Sequence, residues 1–175
     1  MTFAAYKIPD VAESLGVAVR RRVSIRFIAE TAESSGGKLV TDAIAALGAD
    51  TAAGATVYIW PRDKRSMNAA GNRGALHVKC AHADEDVLFI SNANLTGAAL
   101  EQNMELGVLI RGGGQPAQSA NHIQELIKGG VLASELDAAV DGAEAFDEAF
   151  VVFADDDLAY FGVGLLAEKV GSTVK

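Results

Sequence analysis

Residues 76–95 read LHVKCAHADEDVLFISNANL. The segments 75–81 and 87–90 are mostly apolar and flank an acidic turn, which is typical of two strands joined by a turn. Strand alternation would place His77 and Lys79 on the same face. An imidazole beside an ammonium forms a site for an anion, in which the lysine can hold a phosphate oxygen and the histidine can attack phosphorus or move a proton.

Strand and helix patterns alternate on both sides of this stretch. Apolar residues recur at helical spacing after Pro9, and proline is tolerated in the first turn of a helix. The alternation favours an α/β fold with a mixed, mostly parallel central sheet. The other predicted strands are 2–7, 23–29, 56–60 and 105–110, and the other predicted helices are 39–47, 96–102 and 118–127.

The composition changes near residue 136. Residues 136–175 contain nine acids and two lysines, a net charge of −7, whereas the first 135 residues carry −1. We therefore divide the chain into a domain of residues 1–135 and an acidic C-terminal tail of residues 136–175, to which we assign no role. Within the tail we predict a helix followed by a hairpin of strands at 150–152 and 158–161, joined by a solvated turn of three aspartates.

Several features indicate a cytoplasmic protein without a membrane partner. No apolar run approaches the roughly 20 residues that a membrane span requires. Residues 1–7 lack a charged region followed by an apolar one, so we predict no signal peptide. Cys80 is the single cysteine, which excludes an internal disulfide. We interpret Cys80 as a buried apolar residue, Trp60 and Met104 as core residues, and His82 and His122 as surface residues.

Positive charge is concentrated just before His77. The chain has a formal net charge of −8, but residues 57–80 hold five bases against Asp63 alone, which gives +4. A local basic patch can attract phosphate groups even on an acidic protein. Charge alone leaves a substrate-binding loop and an ordinary solvated loop as open alternatives. The candidates for contacts with a substrate backbone are Arg62, Lys64, Arg65 and Arg73.

The spacing of five polar residues resembles the signature of the phospholipase D superfamily. That signature is His-x-Lys, four residues, Asp, six residues, Gly-Ser-x-Asn, and a glutamate eleven residues after the asparagine. The residues of this chain at those positions are His77, Lys79, Asp84, Asn94 and Glu105. The clear departure is Ser91-Asn92 in place of Gly-Ser. The resemblance implies that Asn92 replaces a phosphate-binding serine, and its amide can also donate a hydrogen bond.

The resemblance implies a phospholipase D-like αβα sandwich and a two-step displacement that uses neither a metal nor another cofactor. His77 would attack phosphorus and form a phosphohistidine, while a second histidine would protonate the leaving oxygen and then activate water. Lys79 and Asn94 would neutralise the phosphate oxygens. Glu105 would orient the imidazole, and Asp84 would act mainly in structure. Because the chain has one such motif, we predict a homodimer in which two His77 side chains meet.

Over residues 2–135 the chain is also similar to the phospholipase D-like component of DISARM antiphage systems. The segments that carry this similarity are Trp60-Pro61, 74–80, 93–96 and 103–113. Proteins of that kind normally have a leading segment with at least one helix before the region of similarity. We therefore expect this chain to be an N-terminally short form. It implies a nuclease that acts on DNA in antiphage defence, together with other defence-system subunits. Two alternatives stay open: a catalytically silent subunit that binds nucleic acid or a partner protein, and a phospholipid hydrolase.

Overall fold

The computed structural model of the chain describes residues 9–30, 48–92, 102–134 and 148–152. They form three α-helices, one 3-10 turn and seven strands. The helices are α1 (Pro9–Arg20), α2 (Ala49–Gly54) and α3 (Gln115–Lys128), and the 3-10 turn is Arg62–Lys64. The strands are β1 (Ser24–Ile28), β2 (Ala55–Ile59), β3 (Cys80–Ala83), β4 (Val87–Ser91), β5 (Gly107–Arg111), β6 (Ala133–Ser134) and β7 (Glu148–Val152).

Helix α1 begins at Pro9, because a proline in the first turn has no N–H to leave unbonded. Arg22, with a φ of 65°, then turns the chain into β1. The predicted helix after Pro9 and the predicted strand at 23–29 are therefore confirmed. The apolar residues of α1 at helical spacing are buried, and they are Val11, Leu15 and Ala18.

The remaining elements differ from the predictions mainly at their ends. Helix α3 starts three residues earlier than predicted, with Pro116 in its first turn. The strands predicted from residues 75 and 105 start later, at Cys80 and Gly107. The predicted strand 2–7, the helix 39–47 and most of 96–102 lie outside the described residues. Helix α2 is short and was not predicted.

The strands form one sheet in the order β5-β4-β3-β7-β1-β2-β6. Strand β1 pairs in parallel with β2 and with β7, and the other four pairings are antiparallel. The predicted α/β class and mixed sheet are confirmed, but the prediction that the sheet is mostly parallel is wrong. The reason is that β3 and β4 are joined by the three-residue turn 84–86, and a connection that short can join only antiparallel strands.

Strand β7 comes from the segment that the sequence analysis placed in the acidic tail. It lies in the middle of the sheet, where it pairs with β1 on one side and β3 on the other. The predicted boundary at residue 135 therefore does not mark the end of the sheet. The strand predicted at 158–161 as the hairpin partner of β7 lies outside the described residues.

Helix α3 packs against a core cluster that includes the residue before His77. Ile123 of α3 joins Ile28, Leu76 and Leu132 in this cluster, and Cys80 is packed against it. Helices α1 and α2 contact each other. The three-layer αβα sandwich remains a prediction.

None of the described helices is both long and apolar enough to cross a membrane.

Candidate active site

His77 lies in a segment whose backbone is fixed on both sides. Before it, the N–H of Leu76 donates to Oε1 of Glu30 at 3.0 Å, and Leu76 is buried. After it, the carbonyl of Lys79 accepts a hydrogen bond from the N–H of Ser91 at 3.1 Å. Between these two anchors His77 is exposed. Its imidazole is therefore accessible to a substrate although its backbone is restrained.

One row of residues crosses three neighbouring strands at the level of Lys79. The bond from Ser91 to Lys79 extends the β3–β4 pairing by one position, and Ser91 pairs with Gly107 of β5. His77 lies two residues before Lys79 and three before β3, and Glu105 lies two residues before Gly107, the first residue of β5. The strand predicted to carry His77 and Lys79 on one face therefore does not include either residue, since both precede β3.

The carboxylate of Glu105 is held by two side-chain amides. Nδ2 of Asn92 donates to Oε2 at 2.8 Å, and Nδ2 of Asn103 donates to Oε1 at 3.2 Å. Glu105 is half-buried, while both asparagines are exposed. Each carboxylate oxygen therefore has one amide donor, and lone pairs remain for a further donor.

Asn92 is also bonded to the backbone of β5. Its Oδ1 accepts from the N–H of Leu106 at 2.8 Å, and its own N–H donates to the Leu106 carbonyl at 3.3 Å. These contacts differ from those expected of a phosphate ligand, because the carbonyl oxygen and one amide hydrogen of the side chain bond within the protein. In the structure, the Asn92 side chain therefore bonds to Glu105 and to the Leu106 backbone.

Asp84 lies at the opposite end of β3 from Lys79. It occupies the β3–β4 turn with a φ of 51°, a conformation that aspartate tolerates better than most residues. Five residues of extended chain separate the two positions by roughly 16 Å. Asp84 is thus distant from the row that contains Lys79, although the signature includes both. Asn94 lies outside the described residues.

Arg65, a predicted substrate contact, is buried instead. Its guanidinium forms a bidentate pair with Glu30, at 2.8 Å and 2.9 Å, and both side chains are 3% exposed. It also donates to the carbonyls of Trp60 and Gly74 and lies 5.1 Å from the centroid of the Trp60 ring. Arg65 therefore holds the loop in front of His77, and a substrate does not reach its charge.

The other three predicted substrate contacts are exposed. Arg73 donates to the carbonyls of Arg62 and Arg65 at 3.0 Å and 3.1 Å, and Lys64 donates to the carbonyl of Gly130 just beyond α3. These bonds tie the loop to itself and to the C-terminal end of α3, where a positive charge is favourable. The charges of Arg62, Lys64 and Arg73 nevertheless face solvent and contribute to a positive surface near His77.

A family model described as cardiolipin synthase, PLD-like domain, matches residues 1–131. The chain belongs to this family of phospholipase D-like domains. The family implies a phosphodiesterase-type hydrolase in general, and the match supports the resemblance to the phospholipase D superfamily. No curated protein and no solved structure matches the chain. The narrower similarity to the DISARM component remains a prediction.

Two residues of this phospholipase D-like domain were missed by the sequence analysis. Glu30 fixes both Arg65 and the backbone before His77, and its partners are far away in the sequence, so no local signal reveals it. Asn103 could have been found, because it lies two residues before Glu105, close enough in the sequence for their side chains to form a hydrogen bond. Among the described residues, no group of three or more His, Cys, Asp or Glu side chains is placed to hold a metal ion.

His82 and Cys80 show what burial in β3 does to titratable groups. His82 is fully buried, with Nε2 at 3.2 Å from the hydroxyl of Ser119 on α3, so the prediction of a surface position is wrong. Burial lowers the pKa of His82 to about 4 and raises the pKa of the Cys80 thiol to about 12. Both groups are therefore uncharged near neutral pH. His122 is exposed on α3, as predicted. Met104 is fully exposed, so the prediction that it is a core residue is wrong.

Proposed function

We propose that this phospholipase D-like domain is a phosphodiesterase that cleaves nucleic acid through a phosphohistidine on His77 and needs no metal ion. The observation that supports it most is the pair of restrained groups beside these strands: an exposed imidazole at His77, two residues before Lys79, and a Glu105 carboxylate held by Asn92 and Asn103. These are the groups that a nucleophilic displacement at phosphorus requires: His77 to attack, Lys79 to neutralise charge and Glu105 to orient the ring.

In the first step of the proposed reaction, an imidazole nitrogen of His77 forms a bond to phosphorus as the bond from phosphorus to the leaving oxygen breaks. The leaving oxygen takes a proton from the partner's His77. Lys79 and Asn94 stabilise the negative charge on the other phosphate oxygens. In the second step, the partner's His77 removes a proton from water, water oxygen attacks phosphorus, and the bond to His77 breaks.

The proposed enzyme is a homodimer. The chain carries a single His-x-Lys motif, and the reaction uses one histidine as nucleophile and a second as acid and base. A twofold axis supplies the second histidine from an identical subunit, because the same surface then faces itself. In this arrangement neither subunit is active alone.

Nucleic acid is the proposed substrate because the segment before His77 carries several exposed cations. Arg62, Lys64 and Arg73 all lie on the loop before His77, and several spaced cations suit a chain of phosphates better than a single one. The similarity to the DISARM component supports DNA as the polymer, a role in antiphage defence and an association with other subunits of such a system.

Two other functions have specific support. The family description favours a phospholipid as substrate, since the same groups can attack any phosphodiester. The contacts of Asn92 favour a silent subunit that only binds, because its side chain is bonded to Glu105 and Leu106 where the signature has a serine for phosphate. Lipid vesicles and DNA therefore need to be tested side by side.

The test is an assay of the purified chain with labelled single- and double-stranded DNA, and separately with phosphatidyl lipid vesicles, in excess EDTA. His77→Ala is the test variant, and His122→Ala is the control, because His122 is exposed on α3 and is not part of the signature. DNA cleavage that persists in EDTA and is lost only in His77→Ala supports the proposal. Cleavage of lipid alone supports the hydrolase alternative, and DNA binding without cleavage supports the silent subunit.

A further inference from the structure

Both oxygens of the Glu105 carboxylate accept a hydrogen bond from a side-chain amide. Asn92 reaches Oε2 from the end of β4, and Asn103 reaches Oε1 from two residues earlier in the same chain segment. A carboxylate bonded at one oxygen can still swing about its last torsion, whereas donors at both oxygens define the plane of the group. The two amides therefore fix the direction of the remaining lone pairs.

Asn92 is suited to this task because its side chain is itself immobilised. Its carbonyl oxygen accepts from the Leu106 N–H and its N–H₂ group donates to Glu105, while its backbone N–H donates to the Leu106 carbonyl. An amide carries an acceptor and a donor on separate atoms, so it can bridge a backbone N–H and a carboxylate at the same time. Through Asn92, the Glu105 carboxylate is therefore held in a fixed position relative to the backbone at the end of the β4–β5 pair.

We propose that Asn92 and Asn103 are positioning residues that set the Glu105 carboxylate toward the imidazole of His77. This inference rests on the proposed function, in which Glu105 orients His77. A carboxylate that accepts from one ring nitrogen fixes the tautomer, so that the other nitrogen presents its lone pair for attack. The assignment removes Asn92 from the predicted substrate ligands and gives it, with Asn103, a role that acts through Glu105.

The kinetic test compares Asn92→Ala, Asn103→Ala and their double variant with Asn121→Ala, an exposed asparagine on α3. A positioning role predicts that kcat falls by about tenfold to a hundredfold in the double variant, with KM nearly unchanged, since loss of orientation affects the attack and not the binding. Asn92→Asp, which keeps the shape but places a second carboxylate beside Glu105, should lower kcat further than Asn92→Ala. A raised KM with unchanged kcat would assign Asn92 to substrate binding and overturn the proposal.

A second measurement does not depend on activity. In isotope-labelled protein, the side-chain amide signals of Asn92 and Asn103 should both shift in Glu105→Gln, and the ring-nitrogen signals of His77 should move toward a mixture of tautomers in the double variant. Unchanged His77 signals would overturn the positioning role. If the wild-type chain cleaves no phosphodiester but these shifts are seen, the proposed function fails, while the positioning of Glu105 by Asn92 and Asn103 is supported.

Discussion

Glu30 and Arg65 form a buried bidentate ion pair between the end of β1 and the loop that precedes His77, with N–O distances of 2.8 Å and 2.9 Å. Oε1 of Glu30 also accepts the Leu76 N–H at 3.0 Å. One carboxylate thus fixes both the loop and the residue before the proposed nucleophile. The basic character of this loop is therefore partly structural.

Replacing Arg65 with alanine should lower the free energy of unfolding by about 3–5 kcal/mol, because it leaves the buried carboxylate of Glu30 without its charged partner. Urea unfolding followed by circular dichroism measures this change. Arg62→Ala is the matched control, since Arg62 is exposed on the same loop and its loss should change stability by less than about 0.5 kcal/mol. Equal effects of the two substitutions would show that the Arg65 pair has no special role.

The double variant Glu30→Leu, Arg65→Met separates stability from positioning. Removing both charges avoids an unpaired buried ion, so its loss of stability should be smaller than that of Arg65→Ala. Phosphodiesterase activity should nevertheless fall, because the Leu76 N–H loses its acceptor and the segment that carries His77 is released. Full activity in a stable double variant would mean that Glu30 does not position His77.

Gly107 is required by the ring of Phe89. A Cβ at this position would lie 2.8 Å from two ring atoms of Phe89, within the β4–β5 pair that carries the site. Gly107→Ala should therefore lower the free energy of unfolding by about 1–3 kcal/mol through overpacking. Adding Phe89→Leu should recover part of this loss if the clash is the cause. If Phe89→Leu only adds to the loss, the clash is not the cause.

His82 predicts a pH dependence of stability. Its pKa is about 4 in the folded chain and 6.5 in the unfolded chain, so between these values only the unfolded state binds the proton. The free energy of unfolding should fall by about 1.4 kcal/mol per pH unit as pH drops through this window, and the contribution is absent above pH 6.5. Subtracting the pH profile of His82→Asn isolates the effect, since other groups cancel. Parallel profiles would contradict the prediction.

The proposed homodimer predicts that the active species contains two chains. Sedimentation under assay conditions should show a dimer, and monomer alone in an active sample would contradict it. Mixing equal amounts of wild-type and His77→Ala chains, after exchange of subunits, should lower the activity per wild-type chain by about half, because only dimers with two intact histidines turn over. Activity proportional to the wild-type chain alone would indicate independent sites.

The sequence was sufficient for the local elements near the site and for the family. The acidic turn between two apolar segments predicted the β3–β4 pair, and the signature spacing indicated the candidate site residues. Both depend on short-range patterns, such as alternation along a strand and the chemistry of turns. The mixed α/β class followed from the same patterns.

What the sequence could not provide depends on contacts between distant segments. The buried state of Arg65 depends on Glu30, 35 residues earlier, and the burial of His82 depends on Ser119, 37 residues later. The insertion of β7 between β1 and β3 makes one of the pairings of β3 antiparallel, and no local pattern near residue 148 reveals this. Pairing partners are set by the whole sheet, so strand direction was predicted less well than strand location.

Trapping the covalent intermediate tests the central claim most directly. The chain is mixed with a phosphodiester substrate in excess EDTA, quenched in alkaline denaturant because phosphohistidine is labile in acid, and mapped by peptide mass spectrometry. We predict a phosphoryl adduct on the peptide that contains His77, absent from His77→Ala and retained in His122→Ala. An adduct on another residue, or turnover that continues in His77→Ala, would contradict the assignment of His77 as the nucleophile.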